Sequence, residues 1–259
     1  MLHSLNRLGP SHAADGDIGE VTDSYFDDER WVVRYLVVST GGWLRGRDVL
    51  ISPYSITAVD DRTRAVVTAL TRAQVQESPS IDTAKPISRR QEAAYLGYYG
   101  YPLYWPYTTF WAWGALPVVM PPVSQVSHVS EPPAPEAAAE ATEEVHLRSA
   151  REVSGYHIRC RDESIGHVED FLFEDDTWAI RYLVVDTRNW LPGKQVLLST
   201  QWITGVSWAE RVVSVDLPRA AIESSPEYDP EHLPTRDEEA LLHGHYARPT
   251  YWENYPPAR

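Results

Sequence analysis

Four acidic residues, Asp23, Asp27, Asp28 and Glu29, crowd one stretch of the chain, and Asp170, Glu174, Asp175 and Asp176 crowd another. Carboxylates at this density could gather oxygen ligands around a hard cation such as Ca²⁺, with Asp27, Asp28, Asp175 and Asp176 as the candidate ligands. The spacing lacks the alternating ligands, central Gly and terminal bidentate Glu of an EF-hand loop, and Asp also favours turns. The reading taken is a pair of acidic turns and no metal. Arg34 and Arg181 each sit among Tyr, Leu and Val. A guanidinium buried there needs a carboxylate, and Asp23 or Asp170 is the expected partner, with a bound anion as the alternative. His243 and His245 stand two apart, which places them on different faces of a helix; with His157 and His167 they read as surface histidines. The single cysteine, Cys160, excludes disulfide frameworks and multi-cysteine metal sites and reads as a small strand residue. The chain has no Gly-x-Ser-x-Gly elbow and no Gly-rich loop after a strand, so no catalytic residue and no cofactor is assigned.

The elements that position these residues occur twice. Sliding the chain against itself by 147 residues pairs Ile18-Gly19-Glu20-Val21-Thr22-Asp23 with Ile165-Gly166-His167-Val168-Glu169-Asp170. The same offset pairs Trp31-Val32-Val33-Arg34-Tyr35-Leu36-Val37-Val38 with Trp178-Ala179-Ile180-Arg181-Tyr182-Leu183-Val184-Val185. About four in ten positions between Asp15 and Trp105 are identical at this single offset, far above what shared composition gives. Within each copy the apolar period is two. Gly19–Phe26, an acidic turn and the run from Trp31 to Ser39 predict a hairpin whose second strand is apolar on both faces and therefore central. Val49–Ile51, Ile56–Val59 and Ala65–Leu70 supply further short strands, and five or six of these in roughly 65 residues predict a small barrel. Ser88-x-x-Gln91 and Thr235-x-x-Glu238 have capping-box spacing and predict a helix after each barrel. Each helix runs into an aromatic cluster around a proline, containing Tyr104 and Trp105 or Tyr251 and Trp252, which reads as a packing anchor, with membrane-surface anchoring as the rival reading.

The chain has 259 residues, 37 of them acidic and 23 basic, for a formal net charge of −14. This balance argues against nucleic acid as a partner. No signal-peptide core and no membrane span is read, which makes a soluble cytoplasmic protein the expectation. The 10 Trp and 15 Tyr can fill cores. The expected organisation is a first barrel over 1–82, a helix and aromatic segment over 83–105, a Pro/Ala/Glu-rich linker over 106–145, a second barrel over 146–230, and a helix with an aromatic tail over 231–259. The linker composition predicts an extended tether, with a short helix over Ala137–Glu144 as the alternative.

Ile-Gly-x-Val-x-Asp, an acidic turn, Trp-x-x-Arg-Tyr-Leu-Val-Val, Trp-Leu-x-Gly (from Trp43 and Trp190), Val-Leu-x-Ser and a terminal Ser-Pro recur in order in both copies. This pattern resembles the PRC-barrel family, over roughly residues 8–80 and 155–227. That small β-barrel is also found in the cytoplasmic part of the photosynthetic reaction centre H subunit and at the C-terminus of the ribosome maturation factor RimM. The trailing helix and aromatic segment resemble those of bacterial stand-alone members. The resemblance implies a mainly β fold with two tandem barrels and an interaction role, without common catalytic residues. The function expected is a non-enzymatic protein-interaction or assembly module whose two barrels pack on each other as a pseudo-dimer and meet an unknown protein partner. Trp31, Arg34, Trp43, Tyr104, Trp105, Trp178, Arg181, Trp190, Tyr251 and Trp252 are the structural or interaction candidates. The alternative is a small-molecule or ion-binding protein, enzymatic or not, with a site between the barrels. A role beside a reaction centre or in ribosome maturation is a weaker alternative by analogy.

Overall fold

Runs of β-branched and aromatic residues broken every few positions by Asp, Gly or Pro favour short strands joined by tight turns, and the computed structural model of the protein is built from them. It describes residues 1–44, 46–79, 87–105, 147–187 and 194–253. The linker assigned to 106–145, Trp190 and the end of the aromatic tail lie outside the described residues.

In chain order the elements begin with β1 (Leu2–Ser4), β2 (Pro10–Ala13), β3 (Gly16–Asp27), β4 (Val32–Ser39), β5 (Asp48–Ile51), β6 (Ile56–Val59), β7 (Val66–Thr68), α1 (Arg72–Glu77) and α2 (Arg89–Tyr99). They continue with β8 (Leu147–Ser149), α3 (Ala150–Val153), β9 (His157–Arg159), β10 (Ser164–Glu174), β11 (Ile180–Asp186), β12 (Gln195–Ser199), β13 (Ile203–Ser207), β14 (Val212–Val215), α4 (Arg219–Glu223) and α5 (Arg236–His245). The strands make two seven-stranded sheets of one topology. The first runs β5-β4-β3-β2-β7-β6 with β8 added on β3, and the second runs β12-β11-β10-β9-β14-β13 with β1 added on β10. Pairings are antiparallel except β2 with β7 and β9 with β14. The end strands β5 and β6 are consecutive in the chain, so the one-turn segment Pro53–Ser55, capped by Ser52, turns the corner between them; Thr200–Trp202 does the same in the second copy.

The predicted hairpin is present, and β4 lies between β3 and β5 with Val33, Tyr35, Leu36, Val37 and Val38 all buried. It starts at Val32 because Trp31 closes the acidic turn instead: its N–H donates to Asp27 O at 2.8 Å and its φ is +55°. Trp178 has the same φ. The two predicted capping boxes form, at Ser88 with Gln91 and at Thr235 with Glu238. A third, Thr71 with Gln74, starts α1.

The described residues divide into two units, Arg7–Ser149 with Asp176–Ala179, and Met1–Asn6 with Ala150–Asp175 and Ile180–Arg259. We call them the first-copy and second-copy units. The seventh strand of each comes from the leader of the other copy. Leu2-His3-Ser4 pairs with Leu172–Glu174, and Leu147-Arg148-Ser149 pairs with Tyr25–Asp27. The serine of each strand donates to the matching carboxylate, Ser149 Oγ to Asp23 Oδ2 at 2.6 Å and Ser4 Oγ to Asp170 Oδ2. Asp170 also accepts from the Asn6 N–H at 2.9 Å. Ser149→Ala removes a hydrogen bond to a carboxylate and is expected to lower the stability of the first-copy unit by about 1.5–2 kcal/mol. The denaturant midpoint measures this, and an unchanged midpoint would show that the serine contributes nothing.

Candidate functional site

The polar side chains that recur at the offset of 147 converge on the helix that follows each sheet. In the first-copy unit Glu92 of α2 is fully buried. Its Oε2 accepts from Tyr104 Oη at 2.6 Å and from Tyr35 Oη at 3.1 Å, while Oε1 lies 3.5 Å from Arg89 Nη1. Arg89 stacks 4.5 Å over Trp105, and Arg34 stacks 4.1 Å over Tyr104. Arg34 Nη2 donates to Asp27 Oδ2 at 3.1 Å. Each part has a local cause. The Ser88 cap fixes the start of α2, so Arg89 and Glu92 share one face at i, i+3 spacing. Gly100, left-handed at φ +72°, stops the helix and turns the chain so that Tyr104 returns over it.

The second-copy unit repeats the arrangement. Glu239 Oε2 lies 2.8 Å from Tyr182 Oη and accepts from Tyr251 Oη at 2.9 Å, and Oε1 accepts from Arg236 Nη1 at 3.3 Å. Arg236 stacks 4.8 Å over Trp252, and Arg181 stacks 4.4 Å over Tyr251. Glu174 replaces Asp27, and its extra methylene lets one carboxylate serve both cations. Oε2 accepts from Arg181 Nε at 2.8 Å, and Oε1 accepts from Arg236 Nη2 at 2.7 Å. Burial opposes ionisation of Glu174, but the two guanidiniums outweigh it and hold its carboxyl below the usual range. Burial, then the neighbouring glutamates, push the hydroxyls of Tyr35, Tyr104, Tyr182 and Tyr251 up, which keeps them as donors. Chemically, each network joins a buried carboxylate to two phenols and two stacked guanidiniums, and it anchors helix and aromatic segment to the sheet.

The sequence candidates fall into place unevenly. Arg34 and Arg181 do take carboxylates, but from Asp27 and Glu174 rather than the expected Asp23 and Asp170. Arg34 is itself the unpaired extra residue of β4, between the pairs Tyr25–Tyr35 and Phe26–Val33, and Arg181 is the extra residue of β11 between Leu172–Tyr182 and Phe173–Ile180, while Asp23 and Asp170 hold the exchanged serines instead. Tyr104, Trp178 and Tyr251 are buried. Trp31 stacks on Phe26 at 5.2 Å, and Trp43 donates from Nε1 to Ile18 O at 2.5 Å under Arg72. The acidic turns do not gather around one point. Asp27 caps its own turn through the N–H groups of Glu29 and Arg30, Asp28 accepts from Arg148 Nε at 2.9 Å, Asp175 pairs with His3, and Asp176 is exposed. Cys160 is buried, which pushes its thiol up to about 11. His243 is not a surface residue: it is packed into the second network, where the register of α5 turns it toward Tyr182 and away from His245. Glu92, Glu239, Arg89, Arg236, Tyr35 and Tyr182 were not singled out from sequence. The available signal was that Arg-x-x-Glu recurs at the offset while the residues between change from Arg-Gln to Asp-Glu.

Two further features could hold a ligand. A cleft in the first-copy unit is lined by Val33, Arg34, Ser52, Tyr54, Tyr104 and Trp178 among others, and Arg34 Nε is buried there without a hydrogen-bond partner among the described residues. Among the described residues one trio, His167, Glu169 and Asp186, brings donor atoms within 4.8 Å of one another, with Glu20, Thr22 and Ser39 at the matching first-copy positions. His167 Nε2 is 3.5 Å from Glu169 Oε2, so the two form an ion pair along β10 when the imidazole is protonated. No described helix is long and apolar enough to cross a membrane. Among known proteins, the PRC-barrel domain family matches over residues 13–75 and 147–222. No curated protein matches the chain.

Proposed function

This chain belongs to the PRC-barrel family, and from that premise we propose that it is a non-enzymatic interaction or assembly module of the cytoplasm, in which two barrels act together on a protein partner. The observation that supports this reading is the use made of the repeated polar residues. Buried Glu92 and Glu239 have their oxygens turned to phenols and guanidiniums of their own unit, and the chemistry kept in both copies is spent on holding a helix to a sheet. A carboxylate committed in this way serves rigidity, which suits a surface presented to a partner. Small-molecule or ion binding is the second reading, favoured by the first-copy cleft with its buried Arg34 Nε.

The test is affinity capture from the native lysate with the full chain as bait, run beside a thermal-shift screen against divalent metals, carboxylates and phosphates. The expected result is a reproducible protein partner with no shift. A small molecule that raises the melting temperature without any partner would overturn the module reading, since whatever binds only the native state stabilises it.

A further inference from the structure

The two networks differ at one position that changes their proton count. Where Leu96 packs in the first copy, the second has His243, 1% exposed and ringed by Tyr182, Trp202, Tyr251 and Trp252. His243 Nδ1 lies 2.8 Å from the carbonyl oxygen of Pro249. A carbonyl only accepts, so Nδ1 carries a hydrogen, and Nε2 of the neutral ring is an acceptor. Nε2 lies 3.1 Å from Tyr182 Oη, which in turn lies 2.8 Å from Glu239 Oε2. Tyr182 has one hydroxyl hydrogen. With Glu239 ionised and His243 neutral, two acceptors face that single hydrogen, and one short contact sets lone pair against lone pair. One added proton removes the conflict. On Glu239, it lets the carboxyl donate to Tyr182 while Tyr182 donates to His243. On His243, it reverses both bonds.

We propose that the buried chain Glu239–Tyr182–His243 holds this additional proton in the folded protein, so that docking of α5 on the second sheet is proton-linked, a pH-sensitive latch that the first copy lacks. The charges facing the chain allow it. Arg236, on the same helix, sits closer to Glu174 of β10 (2.7 Å) than to Glu239 (3.3 Å), and Arg181 of β11 is committed to Glu174 as well. Glu239 is therefore the less compensated carboxylate. Tyr251 offers it a neutral hydroxyl, and Glu253 is the charged group that acts on His243. Burial raises the Glu239 carboxyl and lowers the His243 imidazolium, which puts the proton at the glutamate end.

The pH dependence follows from counting protons. An unfolded Glu and His release theirs near about 4.3 and about 6.5. Between these values the unfolded pair carries one proton, on His, and the folded chain carries one, on Glu239, so this chain adds no slope. Above about 6.5 the unfolded pair is bare while the folded chain keeps its proton. The unfolding constant then rises about tenfold per pH unit until the folded chain also lets go. Below about 4.3 the unfolded pair binds two protons against one, and stability falls again.

The experiment is equilibrium unfolding of the full chain from about pH 5 to about pH 9, comparing wild type with His243→Leu and Glu239→Gln, with ¹⁵N NMR of the histidine ring. His243→Leu installs the first-copy residue and frees Glu239 to ionise. Glu239→Gln supplies a permanent amide hydrogen to Tyr182. The expected result is a loss of stability above about pH 6.5 in the wild type that neither variant shares, with His243 neutral and protonated on Nδ1. Parallel pH profiles in wild type and Glu239→Gln, or a His243 that titrates like a free histidine, would overturn the proposal even if His243→Leu does not fold.

Discussion

Glu92→Ala is expected to destabilise the first-copy unit by about 3–5 kcal/mol, the range for stripping one partner from a buried charged pair. The carboxylate is fully buried, and its loss leaves the hydroxyls of Tyr35 and Tyr104 without this acceptor and Arg89 without its ion-pair partner. Because these contacts join α2 to β4 and to the aromatic return, the damage should appear first as faster amide exchange over Arg89–Tyr99 and altered Trp105 emission. Glu92→Gln keeps the shape and an acceptor oxygen, and should lose only about 1–2 kcal/mol. A Glu92→Ala protein within about 1 kcal/mol of wild type by denaturant titration would mean that packing alone docks the helix.

The other large effect is expected at Gly166, where β10 bends against β11. Its φ is +58°, and a Cβ there would fall inside the carbonyl oxygen of Asp186 and within 2.9 Å of the carbonyl carbon. Neither neighbour is a flexible side-chain tip, so relief requires separating two paired strands. Gly166→Ala should therefore lose about 3 kcal/mol or more, combining the left-handed penalty with overpacking. Gly19 makes the same approach to Ser39, and Gly19→Ala should behave alike. A melting temperature within a few degrees of wild type for both variants would refute the close-approach account.

These glycines were visible in the sequence only as members of a repeated Ile-Gly-x-Val-x-Asp, and their contrast with the network residues shows what a sequence can carry. The strands, the acidic hairpin and the Ser88 and Thr235 caps are local events, written in adjacent residues, and duplication doubled each signal. Trp31, by contrast, looks like the first residue of a β-rich run, yet the turn it closes demands φ +55°. Nothing local marks Glu92 and Glu239, because their burial depends on a tyrosine twelve residues later folding back. Arg34 and Arg181 pair elsewhere than with Asp23 and Asp170 because each is the extra residue of a bulge, in β4 and in β11, which no residue type announces. Leu2-His3-Ser4 and Leu147-Arg148-Ser149 are too short to show a period, and they correspond at an offset of 145 rather than 147. Their exchange could not be read from local pattern.

That exchange makes the repeat and the folded unit different things. A cut or a recombination point placed between the copies, where the sequence is most permissive, would not release two modules. It would release two sheets each one strand short, with the hydrogen-bonding flank of the longest strand, Tyr25–Asp27 in one and Leu172–Glu174 in the other, left bare to recruit foreign chains. Each half of the sequence thus carries a strand that completes the sheet built from the other.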